Sequence, residues 1–246
     1  MVDKAIFINN SSAKDSMRQL EIITNNLANS GTTGFRADYE TIKQVPASAA
    51  NKQSRSYSAL DKSYSDFNSG PIINTGRDLD VAVSGEGFIA VQSKAGDEAY
   101  TRAGNFQVKN GVLTTLAGEV VLGSEGIVTI PDNVQRIVIS PDGGIAVKLP
   151  QQNDLVTINQ IKLANPRINE ITKGKDGLFR LPDGDTAQPD AKVKIIPGSL
   201  EGSNVNPVDS LTKLIELSRQ FDLHTSLMKD FKDNASKANQ LLELPR

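Results

Sequence analysis

The chain has 246 residues, with 27 basic and 29 acidic side chains, one histidine and a formal charge of −2. That balance lacks the basic footprint of a nucleic-acid binder, and 38% hydrophobic residues with only 5% aromatics predict a largely aliphatic core. With no cysteine, disulfides, zinc–thiolate sites, iron–sulfur ligation and thiol nucleophiles are excluded.

At the N-terminus, Ile6-Phe7-Ile8 is followed at once by Asn9, Asn10, Ser11 and Ser12, so no apolar run of signal-peptide length forms. Nothing approaches the ~18 consecutive apolar residues of a membrane-spanning helix. The expectation is a cytoplasmic protein, or one exported without a cleaved signal. Ile6, Ala13, Leu20 and Leu27 recur at sevens, with Met17 and Ile23 between them. This spacing predicts a helix of about six turns with a thin coiled-coil stripe. Asn25, Asn26 and Asn29 crowd its last turn, and Gly31 and Gly34 offer backbone freedom where it stops. This first region spans residues 1–35.

Residues 36–76 are polar and serine-rich, and read as an extended linker, partly disordered in the free monomer. Residues 77–198 carry many short strand signals, among them FIAVQS (88–93), EAYTR (98–102), NFQVK (105–109), VLTTL (112–116), RIVIS (136–140), GIAVKL (144–149) and VKIIP (193–197). Asn110-Gly111 is a two-residue hairpin turn between two of them, and Asp142-Gly143-Gly144 reverses the chain in the same way. No βαβ signal appears, so the middle is expected to be an all-β domain of about 110 residues.

Residues 199–246 end in a second, longer helix. Asn206 suits its cap, Pro207 its first position and Asp209 its first turn. Leu214, Phe221, Met228, Ala235 and Leu242 then recur at sevens, with Leu217, His224, Phe231 and Ala238 as companions. The pattern predicts a helix of roughly 35 to 40 residues, about 55 Å long. Its partner within the chain is the N-terminal helix, and the rest of its stripe calls for neighbouring subunits. The fold class expected is therefore a mainly β central domain flanked by N- and C-terminal α-helices that pair.

Chemistry is sparse. His224 sits in a helical seam with no histidine or cysteine at metal-ligand spacing, and no G-x-S-x-G elbow occurs. Asp78 and Asp80 share one side of an extended segment, where hydrogen bonds or a pair with Arg77 explain them better than catalysis. Gly85-Glu86-Gly87 precedes a strand and reads as a tight turn rather than a phosphate loop. A non-enzymatic protein with no cofactor and no metal is expected.

Two stretches add a resemblance. Asn25-Asn26-Leu27-Ala28-Asn29-Ser30-Gly31-Thr32-Thr33-Gly34-Phe35-Arg36 resembles the N-L-A-N-x-x-T-x-G-[FY]-[KR] signature of flagellar rod and hook proteins. Glu201-Gly202-Ser203-Asn204-Val205-Asn206, with Arg219 and Phe221 downstream, resembles the C-terminal cap and helix of the same family. The length and the segment LDVAVSGEGFIAVQ (79–92) are more similar to a proximal-rod subunit than to the longer hook subunit. A distal-rod paralogue is the nearest alternative, and a carbohydrate-binding β module with helical arms a remote one.

The resemblance implies a structural subunit of the basal-body rod. Such a subunit leaves the cytoplasm through the flagellar export apparatus without a cleaved signal and joins neighbouring rod proteins in the drive shaft across the periplasm. Its terminal helices pair in the assembled rod, with neither nucleic acid nor small-molecule substrate as partner. It also implies an assembly interface drawn from Leu20, Asn26, Leu27, Asn29, Gly34, Phe35, Asn204, Asn206, Leu214, Arg219, Phe221 and Met228. In that reading the motif asparagines 25, 26 and 29 bond the helix-end carbonyls, Gly34 permits a bend and Phe35 anchors the departing chain. Asn204 and Asn206 satisfy turn or cap donors, and Arg219 serves an intersubunit contact.

Overall fold

The computed structural model describes residues 2–46, 56–150 and 154–242. The chain divides into two compact units, one made of Met1–Ala28, Asp38–Ser65 and Asn206–Arg246, the other of Asn29–Ala37 and Asp66–Val205. Both ends of the chain and one internal segment thus fold together, while the β domain includes nine residues just beyond the first helix.

In the first unit, α1 spans Val2–Ala28 (27 residues) and α2 spans Pro207–Leu242 (36 residues), and the two pack together. The burial of α2 follows its heptads closely. Leu214, Leu217, Phe221, His224, Met228 and Phe231 are half-buried, while the positions between them are exposed. The side chains of Ile6, Ala235, Ala238 and Leu242, part of the expected stripes, lie outside the described residues. In α1, Ala13, Leu20, Ile23 and Leu27 face inward as the spacing requires, but Met17 is 55% exposed. The row that completes the seam is polar instead: Asn9 and Ser16 are buried at seven-residue spacing from Ile23.

Two stretches of the segment expected as an extended linker over 36–76 form strands. Asp38–Pro46 and Ser56–Ser65 pair as an antiparallel ribbon with a bulge between Thr41 and Ile42, and it packs on α1. Tyr39 and Tyr64 face each other across the ribbon, their rings stacked at 5.9 Å. Cross-strand pairing satisfies the backbone of a polar segment that lacks apolar periodicity.

The second unit is β throughout, with two short 3-10 turns. Its largest sheet runs in the order Thr172–Lys173, Phe179–Arg180, Glu98–Thr101, Phe88–Gln92, Val120–Gly123, Val112–Thr115, Phe106–Lys109. Phe88–Gln92 explains its own continuous apolar run. Ile89 and Val91 point into one core cluster with Phe106, Leu113 and Val121, while Phe88 and Ala90 point into a second with Tyr100 and Phe179. A strand covered on both faces needs no polar side. The hairpin at Asn110-Gly111 forms as expected, both residues holding positive φ (53° and 74°). Val81–Ser84 pairs with Lys194–Pro197, and Ile72–Asn74 with Ser199–Glu201, so the end of the unit's sequence closes against its beginning.

Candidate functional site: the two terminal motifs

Two family motifs meet around a buried carboxylate in the β unit. Ser199–Glu201 is an edge pairing with Ile72–Asn74, and this places Glu201 beneath the segment that follows α1. Arg36 Nη2 donates to Glu201 Oε1 at 2.6 Å, and Arg102 Nη1 donates to Oε2 at 3.1 Å. The Arg36 and Glu201 side chains are wholly buried and that of Arg102 nearly so. Glu201 also accepts the Gly70 N–H through Oε1, and its main-chain oxygen accepts the Gly34 N–H. Burial pushes the Arg102 guanidinium down from its usual range, and the Glu201 charge opposes that shift. The Arg102 guanidinium also lies over the Phe88 ring, 5.1 Å from its centre.

The motif residues take their places around this hub. Gly34 has φ +68°, and a Cβ there would collide with the Arg102 backbone. A side chain is therefore refused twice, by conformation and by space. Phe35 is half-buried beneath Lys173, whose Nζ sits 4.0 Å from the ring centre and donates to the Arg36 carbonyl. Asn29 accepts from Thr32 in a short turn, through both its main-chain and side-chain oxygens. Asn204 Oδ1 accepts the Ala37 N–H at 2.7 Å, while its Nδ2 donates to the Asp66 and Asn68 carbonyls. One side chain thus ties two separate backbone stretches to its own.

The remaining sites belong to the helical unit. Asn26 does not bond the helix-end carbonyls. It reaches Asp38 instead, accepting its N–H at 2.9 Å and donating to its carbonyl at 2.8 Å. The two bonds copy a strand partner and start the ribbon beside α1. Asn206 caps α2, its Oδ1 accepting from the Val208 and Asp209 N–H groups. Leu20, Leu27, Leu214, Phe221 and Met228 are half-buried, and Arg219 is exposed. Val208, Leu211 and Ile215 form a further outward apolar row on α2, 71%, 50% and 46% exposed.

The features weighed for chemistry resolve into structure. Asp78 meets Arg136, and Asp80 meets Arg77 and the Thr75 hydroxyl. Gly85 and Gly87 hold positive φ in a turn before the strand Phe88–Gln92. Among the described residues, no group of three or more His, Asp or Glu is placed to hold a metal ion, and no helix is long and apolar enough to cross a membrane.

Sequence reasoning passed over Asn9, Ser16, Arg36, Arg102 and Glu201. The first two share the heptad spacing of Ile23, so counting polar residues in the seam finds them. Arg36 and Glu201 lie inside the quoted motifs, but nothing local pairs them.

Three family profiles match the chain. They are a flagellar basal-body rod profile over residues 11–36, the D1 domain of the flagellar hook proteins FlgE/F/G over 82–147, and the FlgEFG C-terminal profile over 196–241. The rod protein FlgF of Salmonella typhimurium is 33% identical over 251 residues, covering 99% of this chain and 100% of its own length. The chain belongs to the flagellar basal-body rod protein family. FlgF of Escherichia coli matches equally, and the rod protein FlgG of Caulobacter vibrioides is 31% identical with 91% of each chain covered. Glu201 and Asn204 fall within the C-terminal match, and Asn26, Gly34 and Arg36 within the N-terminal one, so the hub joins the two matched ends.

Proposed function

We propose that this chain is the FlgF-type subunit of the proximal rod, a structural segment of the shaft that links the motor to the hook across the periplasm. The observation that carries the reading is the end-to-end match to FlgF, which leaves almost no residue of either chain unaligned, against 91% coverage with one FlgG. A structural role agrees with the site: its charged groups are buried and already bonded to one another, which suits holding a shape. Neighbouring rod subunits pack on the paired helices, with Leu20, Leu27, Leu214, Phe221 and Met228 in the layer, the outward row Val208, Leu211 and Ile215 beside it, and Arg219 on its flank. The flagellar export apparatus delivers the chain. Burial of such a row contributes roughly 25 cal/mol per Å2, which favours partners once subunits concentrate at a growing tip.

Electron microscopy of basal bodies carrying an epitope-tagged copy tests the placement. Label at the end of the rod nearest the membrane-embedded base is expected. Label confined to the hook-side end would assign the chain to the distal rod instead.

A further inference from the structure

The seam between α1 and α2 contains one pair that apolar packing does not explain. Asn9, buried on α1, donates through Nδ2 to the main-chain carbonyl of His224 at 2.8 Å, and its Oδ1 lies 2.7 Å from His224 Nδ1. The geometry fixes the roles. Only the Asn9 amide nitrogen can face a carbonyl, so Oδ1 is the acceptor and Nδ1 carries the proton. His224 is the only histidine of the chain, and it stands in the middle of the Leu217–His224–Phe231 row.

Heptad seams have a weakness that this pair addresses. The apolar rows of α1 and α2 repeat every seven residues, so sliding one helix by a heptad brings similar side chains together again. Packing alone discriminates poorly between such registers. A slip of one heptad would set the buried Asn9 amide against Leu217 or Phe231, where no polar side chain answers it. Ser16, next in the same row, is too short to replace it. The Leu217 or Phe231 carbonyl would still accept from Nδ2 as the His224 carbonyl does, but Oδ1 would be left buried without a donor, which is costly enough to disfavour a register by about tenfold or more. Asn9 lies nearly as far from the end of α1 as His224 does from the start of α2, so in an antiparallel pair those two ends stand almost level.

We infer that Asn9 and His224 form a register lock, a polar pair that selects one antiparallel alignment of the terminal helices from those the heptads permit. In the locked register the first residues of α1 lie opposite the region of Phe231. The last turns of α2 therefore extend beyond α1 by a fixed length. The lock determines how much of α2 is offered to other partners, and it holds whether the chain belongs to the proximal or the distal rod.

The cysteine-free chain makes the test clean. In the locked register Ser16 faces Leu217, whereas a slip of one heptad brings Ser16 to Ser210. Full-length chains carrying Ser16→Cys with Leu217→Cys, or Ser16→Cys with Ser210→Cys, report the two alignments by their rate of disulfide formation. In the parent background the first pair should close at least about tenfold faster than the second. In an Asn9→Leu/His224→Leu background that preference should fall by about tenfold, with helix content by circular dichroism retained. An unchanged preference would overturn the inference. So would lost helix content, because the pair would then supply stability rather than choice. As a control, His224→Gln keeps an amide for Asn9 and should hold the parent preference; a fall as large as in the double leucine variant would also overturn the lock.

Discussion

Arg36 and Glu201 stand 165 residues apart in the chain and form a wholly buried ion pair at 2.6 Å. Arg102 completes the group from a third segment, and among the described residues Arg36 Nε, Arg36 Nη1 and Arg102 Nε have no hydrogen-bond partner. Two buried cations on one carboxylate leave little tolerance for losing it. Glu201→Gln should destabilise the β unit by about 3–5 kcal/mol, since the uncompensated charge stays buried. Replacing all three by Arg36→Met, Arg102→Met and Glu201→Leu should recover most of that loss. Urea denaturation of the three proteins checks this; a glutamine variant within about 1 kcal/mol of the parent would contradict the hub's role.

Gly34 and Gly31 lie three residues apart in one motif, but only Gly34 is confined. Gly34→Val places a branched side chain at φ +68° against the Arg102 backbone. It should cost about 2 kcal/mol or more, through strain and displacement of the segment leading to Arg36. Gly31 has open space around its Cβ direction, and Gly31→Ala should stay within about 0.5 kcal/mol. Equal losses in the two variants would show that the motif glycines do not act through this contact.

The legible part of the fold was the local part. Phe88–Gln92 and the Asn110-Gly111 turn announce themselves within a few residues, because a short apolar run bounded by turns and the dihedrals of a tight turn are decided by neighbours. The cap at Asn206 and the length of α2 were equally plain, and the half-buried positions of α2 repeat its heptad rows. The ribbon of Asp38–Pro46 and Ser56–Ser65 was not, since its pairing rests on backbone bonds that polar side chains do not advertise. Asn9 and Ser16 escaped because a search for apolar periodicity passes over polar residues in a seam, and Met17 was apolar yet faces outward. At the motifs, the bend at Gly34 and the cap at Asn206 were readable. The Glu201 hub and the Asn26 grip on Asp38 join distant stretches, and no local rule specifies such partners.

Asp97 offers a test by pH. The Ser93 hydroxyl first, and then Arg180, hold its carboxyl down at about 2. A folded value below the ordinary 3.8 means that its contribution is complete above about pH 4 and disappears as pH falls toward 2. Asp78, Asp142 and Asp176 are held low as well, by Arg136, Ser140 and Arg180 respectively, and add in the same direction. The melting temperature of the parent should therefore drop between about pH 4 and 2, and Asp97→Asn should drop less over that interval. Identical slopes for both proteins would remove Asp97 from the acid response.

The outward row on α2 offers a test that separates folding from assembly. Leu211→Asp with Ile215→Asp changes residues that are half-exposed in the chain itself, so the monomer should lose no more than about 1 kcal/mol. In the rod, two charges set in an apolar contact should abolish incorporation. Motility and purified basal bodies report the second effect, and circular dichroism melting the first. Normal motility with this variant as the sole copy would show that the row is not a subunit contact.

The central claim is that this chain is a required structural segment of the rod. Electron microscopy of basal bodies from a strain lacking it tests that claim most directly. The account, in which each rod subunit is the platform for the next, predicts structures that stop before hook and filament, restored by the intact chain. Complete hooks and filaments in the deletion strain would contradict it.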